Sequence, residues 1–351
     1  AHSDGDSRIS FSEGELCSEE KESSEGESFS EEESSSEGES FAEYLKCHPE
    51  AVGSFGKAFP FFPTLIKLID AKKALSIQVH PDDSFALSRE GQYGKTEMWI
   101  VLEREEGAFL YFGFQKDYTE EEIRRAIEEE NFPSLLCKVM VEPGDVFFLP
   151  AGTVHAIGAG ILLAEVQQNS NLTYRVYDYG RKDAQGNTRE LHVEKALEVM
   201  NRKQLSAYRQ EAFKKQGKKP VGEKAAGESV TGEKAAEKNV YLEQIGSCEY
   251  FTVDRLFLEE NAFYSGKLTE ESFLSLLVLE GEGVLTVETK HVKEKHQDSS
   301  PEYKEETYSS KGQKSKCFVK KGESYFLPAE EGQWSLKGTG KFLLTFLSEK
   351  N

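Results

Sequence analysis

Cysteine is scarce in this chain and badly placed for bridging. Five cysteines (Cys17, Cys47, Cys137, Cys248 and Cys317) are scattered through 351 residues, with no metal-knuckle or redox-pair spacing among them. An odd, dispersed set fits a reducing compartment and argues against a disulfide framework. Long apolar runs are also missing. Nothing approaches the roughly 20 residues that a membrane helix requires, and no charged-then-apolar leader opens the sequence. Positive charge is in deficit, with 43 Lys+Arg against 63 Asp+Glu and a net charge of −20. Nucleic acid and anionic membranes both demand a basic surface, so neither is expected as a partner. A cytoplasmic location is the expectation, and there the sequon Asn171-Leu172-Thr173 carries little weight.

The acidity is concentrated. Residues 13–43 hold thirteen glutamates against Lys21 alone, which accounts for −12 of the −20. Within them Ser23-Ser24-Glu25-Gly26-Glu27-Ser28-Phe29 recurs at 35–41, in a composition too poor in apolar residues to offset its ordering entropy. Residues 215–239 carry a second repeat, Gly-Glu-Lys-Ala-Ala at 222–226 and 232–236, and read as a linker. Residues 290–316 are polar between strand-like runs and read as a long hairpin loop.

Elsewhere the pattern has period two. Thr64–Ala71, Leu75–His80, Glu97–Glu103, Phe109–Phe112, Asp145–Leu149, Ile161–Gln167 and Thr173–Tyr179 read as strands, most bounded by turn residues. Thr119–Glu130, with Thr119 as cap, and Glu190–Met200 read as helices. Many short strands with few helices indicate an all-β sandwich or barrel. Two echoes then suggest a duplication. "PGDVFFLPAGTVHAIG" (143–158) returns as "KGESYFLPAEEGQWSL" (321–336), and "EMWIVLEREEGAFLYF" (97–112) as "LSLLVLEGEGVLTVET" (274–289). The copies differ in their ionisable residues: Glu97 corresponds to Leu274, and His155 to Gln333.

Four residues of the first copy stand out. Glu97 lies on a strand whose two faces, Trp99 and Val101 on one and Met98, Ile100 and Leu102 on the other, are both apolar, so an ionised carboxylate there needs a partner. In "LSIQVHPDD" (75–83), alternation puts Leu75, Ile77 and Val79 on one face and Ser76, Gln78 and His80 on the other. His155 follows an apolar run and a turn. Imidazole and carboxylate suit zinc or another divalent first-row metal, with the Gln78 carbonyl as a weaker fourth ligand. By spacing alone these residues fit surface or core roles as well as a metal site. A turn centred on Ser170 would also pair Ile161–Gln167 with Thr173–Tyr179 and set Glu165 opposite Arg175. That is either an exposed cross-strand ion pair or part of a site for an anionic, hydroxyl-rich ligand. Arg181 and Lys182 follow closely.

The stretches "LIKLIDAKKALSIQVHPDD", "GKTEMWIVLE", "PGDVFFLPAGTVHAIGAGILLAEVQQNSNLTYRVYDYGR" and "ELHVEKALEVM" together resemble bacterial type I mannose-6-phosphate isomerases, densely over about 44–212 and more loosely over 240–351. The resemblance implies two cupin-type jelly rolls, the second degenerate, with one zinc ion per chain held by Gln78, His80, Glu97 and His155. It places the active-site arginine on Arg175, the lysine of the "KTE" motif on Lys95 and an acidic site residue on Glu165. It implies interconversion of mannose 6-phosphate and fructose 6-phosphate, so the expected partner is a small sugar phosphate. The opening "AHSDGDS" resembles a family segment that follows several tens of residues with a Trp-Gly-Gly element. A truncated or inactive sugar-phosphate-binding cupin is therefore the chief rival, ahead of an iron oxygenase or a storage jelly roll. The expected organisation is a family-like start with its Ser/Glu insert (1–43), a metal-binding domain (44–214), the linker (215–239) and a degenerate domain (240–351).

Overall fold

Alternating apolar residues do become strands, ordered in two sheets in the first half of the chain. The structure, a computed structural model, describes residues 40–204, 239–290 and 313–349. The Ser/Glu repeat up to residue 39, the linker up to 238 and residues 291–312 of the polar loop lie outside the described residues. Helices α1 (Phe41–Cys47) and α2 (Gly53–Gly56) precede β1 (Thr64–Ala71), β2 (Ile77–Val79), α3 (Asp83–Arg89), β3 (Glu97–Arg104) and β4 (Phe109–Phe114). Next come α4 (Glu120–Glu128), β5 (Leu136–Met140), β6 (Val146–Leu149), β7 (His155–Ile157), β8 (Ile161–Gln168), β9 (Tyr174–Tyr177) and α5 (Val193–Val199). The second half contains β10 (Val240–Cys248), β11 (Phe251–Leu268), β12 (Leu274–Thr289), β13 (Gln313–Lys320), β14 (Ser324–Leu327) and β15 (Gly332–Phe346).

Two boundaries move relative to the sequence reading. The acidic insert ends before residue 43, because Ser40 caps α1 in a reciprocal bond with Glu43. The polar loop ends before 316, because residues 313–316 already pair with 286–289. Thr119 does cap α4, again reciprocally, with Glu122.

In the first half a four-stranded sheet (β1-β8-β3-β6) faces a five-stranded one (β5-β4-β7-β2-β9). Trp99, Val101, Phe147 and Leu163 from the first pack against Leu110, Phe112 and Ile157 from the second. The outer face of the five-stranded sheet carries Ile77, Val79, Tyr174 and Val176, covered by Ile123 of α4 and Ala196 and Leu197 of α5. The outer face of the four-stranded sheet carries Met98, Ile100, Ala164 and Val166, which pack against Phe251, Val253, Leu277 and Leu343 of the second half. Hence β3 is apolar on both sides. Each such fully buried side chain stabilises the fold by about 1.5–3 kcal/mol.

The second half is one six-stranded sheet, ordered β10-β11-β15-β12-β13 with β14 on β12. The sequence echoes agree with its register: Glu97 lies opposite Leu149 between β3 and β6, and Leu274 opposite Leu327 between β12 and β14. Where the first half has Glu97, the second has Leu274, in a core with Leu276, Trp334, Leu336 and Phe342. Gln333, the echo of His155, is exposed, and its neighbour Trp334 turns inward instead.

Two expectations are corrected. Ile161–Gln168 and Tyr174–Tyr177 do not form a hairpin: β8 pairs with β1 and β3, whereas β9 pairs with β2 in the facing sheet. The segment between them crosses from sheet to sheet, and the buried Gln167 amide donates to the carbonyls of Gln168 and Ser170 as it does so. Glu165 therefore lies opposite Lys67 and Trp99, and Arg175 opposite Gln78. Leu75 also departs from the face of Ile77 and Val79. It precedes β2 and packs in the inter-sheet core, while the register with β9 slips between Ile77 and Gln78.

Candidate active site and metal centre

The four residues singled out by chemistry meet at one end of the space between the two sheets. Gln78, in the middle of β2, lies opposite His155, the first residue of β7. His80 follows β2 directly, and Glu97 is the first residue of β3 in the facing sheet. Three of the four thus sit at or just beyond a strand end.

The donor atoms converge closely. His155 Nε2 is 3.1 Å from Glu97 Oε1, and His80 Nε2 is 3.8 Å from Glu97 Oε2. Ligand atoms of His80, Glu97 and His155 all lie within 4.8 Å of one another, and all three residues are buried. Each histidine donates its Nδ1–H to a backbone carbonyl, His80 to Leu172 and His155 to Thr153, both at 2.8 Å. Those bonds fix the tautomer, so both Nε2 lone pairs point into the cluster. Gln78 Nε2 lies 3.3 Å from His155 Nε2. Exchanging the amide's N and O would turn its carbonyl oxygen to the same point. Of the oxygens of buried Glu97, Oε2 has the Lys95 ammonium beside it, while Oε1 faces the Nε2 lone pair of His155 and has no donor. Imidazole lone pairs turned toward a buried carboxylate call for a cation among them, and two imidazoles, a carboxylate and an amide oxygen fit a divalent first-row metal.

Beside this cluster lies a second charged group. Lys95 Nζ is 2.6 Å from Glu97 Oε2, 3.3 Å from His80 Nε2 and 3.8 Å from Glu165 Oε1. Glu165 Oε1 is 3.7 Å from Lys67 Nζ, and Glu165 Oε2 accepts the indole N–H of Trp99 at 2.9 Å. The two carboxylates separate in acidity. Burial alone would raise Glu97, but the Lys95 ammonium holds it well below the usual carboxylate range. Glu165 stays raised, by burial and by the negative charge of Glu97, with Lys95 and Lys67 only partly compensating. Lys95 is raised because Glu97 and Glu165 outweigh its burial, whereas burial lowers Lys67. Burial and the Lys95 ammonium also hold His80 well below its ordinary value, leaving a neutral imidazole.

Arg175 comes to the same rim from β9 but does not meet Glu165. Its Nη1 donates to the Glu190 carbonyl at 2.8 Å and its Nε to Ser76 Oγ at 3.4 Å. Arg181 and Arg189 both bind the single buried carboxylate of Asp178. Burial, and after it the neighbouring Arg189, lower the pKa of the Arg175 guanidinium. The structure thus gathers Gln78, His80, Glu97, His155, Lys95 and Glu165, with Arg175 nearby but turned to other partners. Sequence reading missed Lys67, although a lysine between Leu65 and Ile69 on an inward strand face was the available signal. It also missed the polar use of Trp99.

A family profile described as the catalytic domain of type I phosphomannose isomerase matches residues 14–102, the part that contains Gln78, His80, Lys95 and Glu97. The Bacillus subtilis protein YvyI is 31% identical over 287 residues, 82% of this chain and 75% of that protein. The crystal structure of mannose 6-phosphate isomerase from Bacillus subtilis superposes with a TM-score of 0.64 at 30% identity, over 88% of this chain and 82% of that one. The chain belongs to the type I phosphomannose isomerase family. Mannose-6-phosphate isomerase of Streptococcus mutans is 48% identical, but over 139 residues, 40% of this chain and 44% of that protein. The match thus spans less than half of that phosphomannose isomerase. Among the described residues no helix is long and apolar enough to cross a membrane.

Proposed function

We propose that this chain interconverts mannose 6-phosphate and fructose 6-phosphate, with one zinc ion held by Gln78, His80, Glu97 and His155. The observation that carries this reading is the pairing of a convergent His/Glu/His donor set with a second buried carboxylate of raised acidity range, Glu165, joined to it through Lys95. Metal-assisted aldose–ketose isomerisation draws on both. A proton moves between C1 and C2 while negative charge develops on the adjoining oxygens through an enediol. When bound, the metal would supply Lewis-acid stabilisation of that charge.

The remaining work falls to side chains. Glu165 takes the proton from one carbon and returns it to the other, a task that favours a carboxyl group whose pKa is nearer neutrality than usual. Trp99 and Lys67 fix its orientation. Lys95, between the two carboxylates, carries a proton or a hydrogen bond to the substrate oxygens. Arg175, with Arg181 and Arg189 beside it, supplies bidentate donors for the phosphate end.

The test is conversion of mannose 6-phosphate by this chain after chelation and again after zinc is restored. Activity that disappears and returns supports the proposal. A folded, zinc-loaded chain that stays inactive overturns it in favour of a binding-only cupin. Arg175→Ala is expected to lose at least about 100-fold in turnover while zinc content, measured by atomic absorption, stays at one equivalent.

A further inference from the structure

Three consecutive backbone N–H groups, at Gly94, Lys95 and Thr96, lie just before β3 and are satisfied from outside their own strand. Lys95 N–H donates to the Pro81 carbonyl at 2.9 Å. Gly94 N–H donates to Asp83 Oδ1 at 2.7 Å, and Thr96 N–H to Gln168 Oε1 at 2.7 Å. The amide nitrogen of Gln168 in turn donates to Asp83 Oδ1 at 2.9 Å. Both amides flanking Lys95 therefore trace back to one carboxylate. Its other oxygen, Oδ2, accepts the hydroxyl of Tyr250 at 2.6 Å, a bond between residues 167 apart in sequence and from opposite halves of the chain.

Tyr250 is itself fixed. Its carbonyl accepts the Thr64 hydroxyl at 2.8 Å, and its ring packs 5.9 Å from Phe59 and 6.4 Å from Tyr93. The Tyr93 carbonyl accepts Ser170 Oγ, Ser170 Oγ accepts Leu172 N–H, and the Leu172 carbonyl orients His80. Gly94 fits against the backbone of Asp82 with no room for a side chain, a Cβ there falling 2.4 Å from the Asp82 carbonyl carbon. The loop is held from both sides.

We infer that Tyr250 is a positioning residue for the reaction: through Asp83 it fixes the Gly94–Thr96 loop and hence the Lys95 ammonium, so the half without metal ligands contributes to turnover. This rests on Lys95 acting in the site as proposed above. A charge-assisted hydroxyl–carboxylate bond is among the stronger hydrogen bonds available, and displacements of about 1 Å at a catalytic group cost large factors in rate.

The test compares Tyr250→Phe, which removes one oxygen and keeps the ring, with Lys321→Ala, which breaks another contact between the halves, at Glu103. Two readouts are taken at a temperature where all proteins are folded: steady-state kinetics, and amide hydrogen exchange at Gly94 and Thr96. Tyr250→Phe is expected to lower kcat by about five-fold or more, with KM and zinc content unchanged and both amides exchanging faster. Lys321→Ala is expected to change none of these. A kcat for Tyr250→Phe within about two-fold of the parent, or an equal loss in Lys321→Ala, overturns the inference. Should the parent chain lack isomerase activity, the isomerase reading fails by itself. The exchange measurement then decides the brace: unchanged protection at Gly94 and Thr96 rejects it, and selective loss upholds it.

Discussion

Glu97 and Glu165 are both buried on either side of Lys95, yet their surroundings drive them to opposite protonation behaviour. Glu97 has Lys95 at 2.6 Å and two imidazoles as neighbours. Glu165 faces Glu97 and has lysines no nearer than 3.7 Å. The acid thereby left with the higher pKa suits proton transfer, and the one held ionised suits a cation. A base must be deprotonated to act. Its raised pKa therefore places the acid limb of kcat/KM above the ordinary carboxylate range, with activity falling as pH drops through that limb. Glu165→Gln keeps the shape and is expected to lower kcat by at least about 1,000-fold with zinc retained, and the residual rate should lose that limb. A pH–rate profile of both proteins checks this. At this scale the sequence was informative where one residue type broke a pattern. A glutamate on an apolar strand announced itself, whereas Lys67 passed as an ordinary interruption and Trp99 as ordinary core. An indole N–H looks the same in sequence whether or not it is used.

Strands with a continuous apolar identity were legible, and β3 is the clearest. Both of its faces read as buried, and both are, one against the facing sheet and one against the second half. The helix α4 was legible through its Thr119 cap, and the structure adds the return bond from Glu122. Pairing was not. The run Asn169-Ser170-Asn171 has the composition of a hairpin turn, but the same composition serves a crossing between sheets, and local turn chemistry cannot distinguish the two. The strands β5 and β7 were missed. The loop before β3 carries the prediction belonging to this scale. Gly94→Ala would drive a methyl group into the backbone of Asp82 and Asp83, atoms that a rotamer change cannot clear. It is expected to destabilise the protein by about 1–3 kcal/mol and to lower turnover, as urea unfolding and steady-state assay would report.

Across the whole molecule, the two halves keep the same register at corresponding strands but fill it differently. Leu274 and Trp334 make the second interior a packed core, while the first keeps Glu97 and His155 in a buried polar cluster. Among the described residues of the second half, Glu243 and Asp254 are buried acidic groups, and only the first is paired with an arginine, Arg255. Asp254 shares its strand face with Leu256 and Leu258, is 4% exposed, and is pushed up to about 7 by burial. The folded chain then binds this proton more tightly than the unfolded chain. Asp254 disfavours folding increasingly as pH rises from about 4 to about 7, and the full penalty is present above that. Asp254→Asn is expected to raise stability at pH 8 by about 1–3 kcal/mol and to match the parent at pH 4, which thermal melts at the two pH values would show.

The face shared by Met98, Ile100, Ala164 and Val166 also imposes an order on biosynthesis. The ribosome releases the first half well before Phe251, Val253, Leu277 and Leu343, which cover that face, have been made. Until then the nascent chain displays an uncovered apolar sheet, the kind of surface that self-associates or recruits chaperones. Pausing translation between the halves should lengthen that exposure, and a messenger that hurries through residues 205–238 should shorten it.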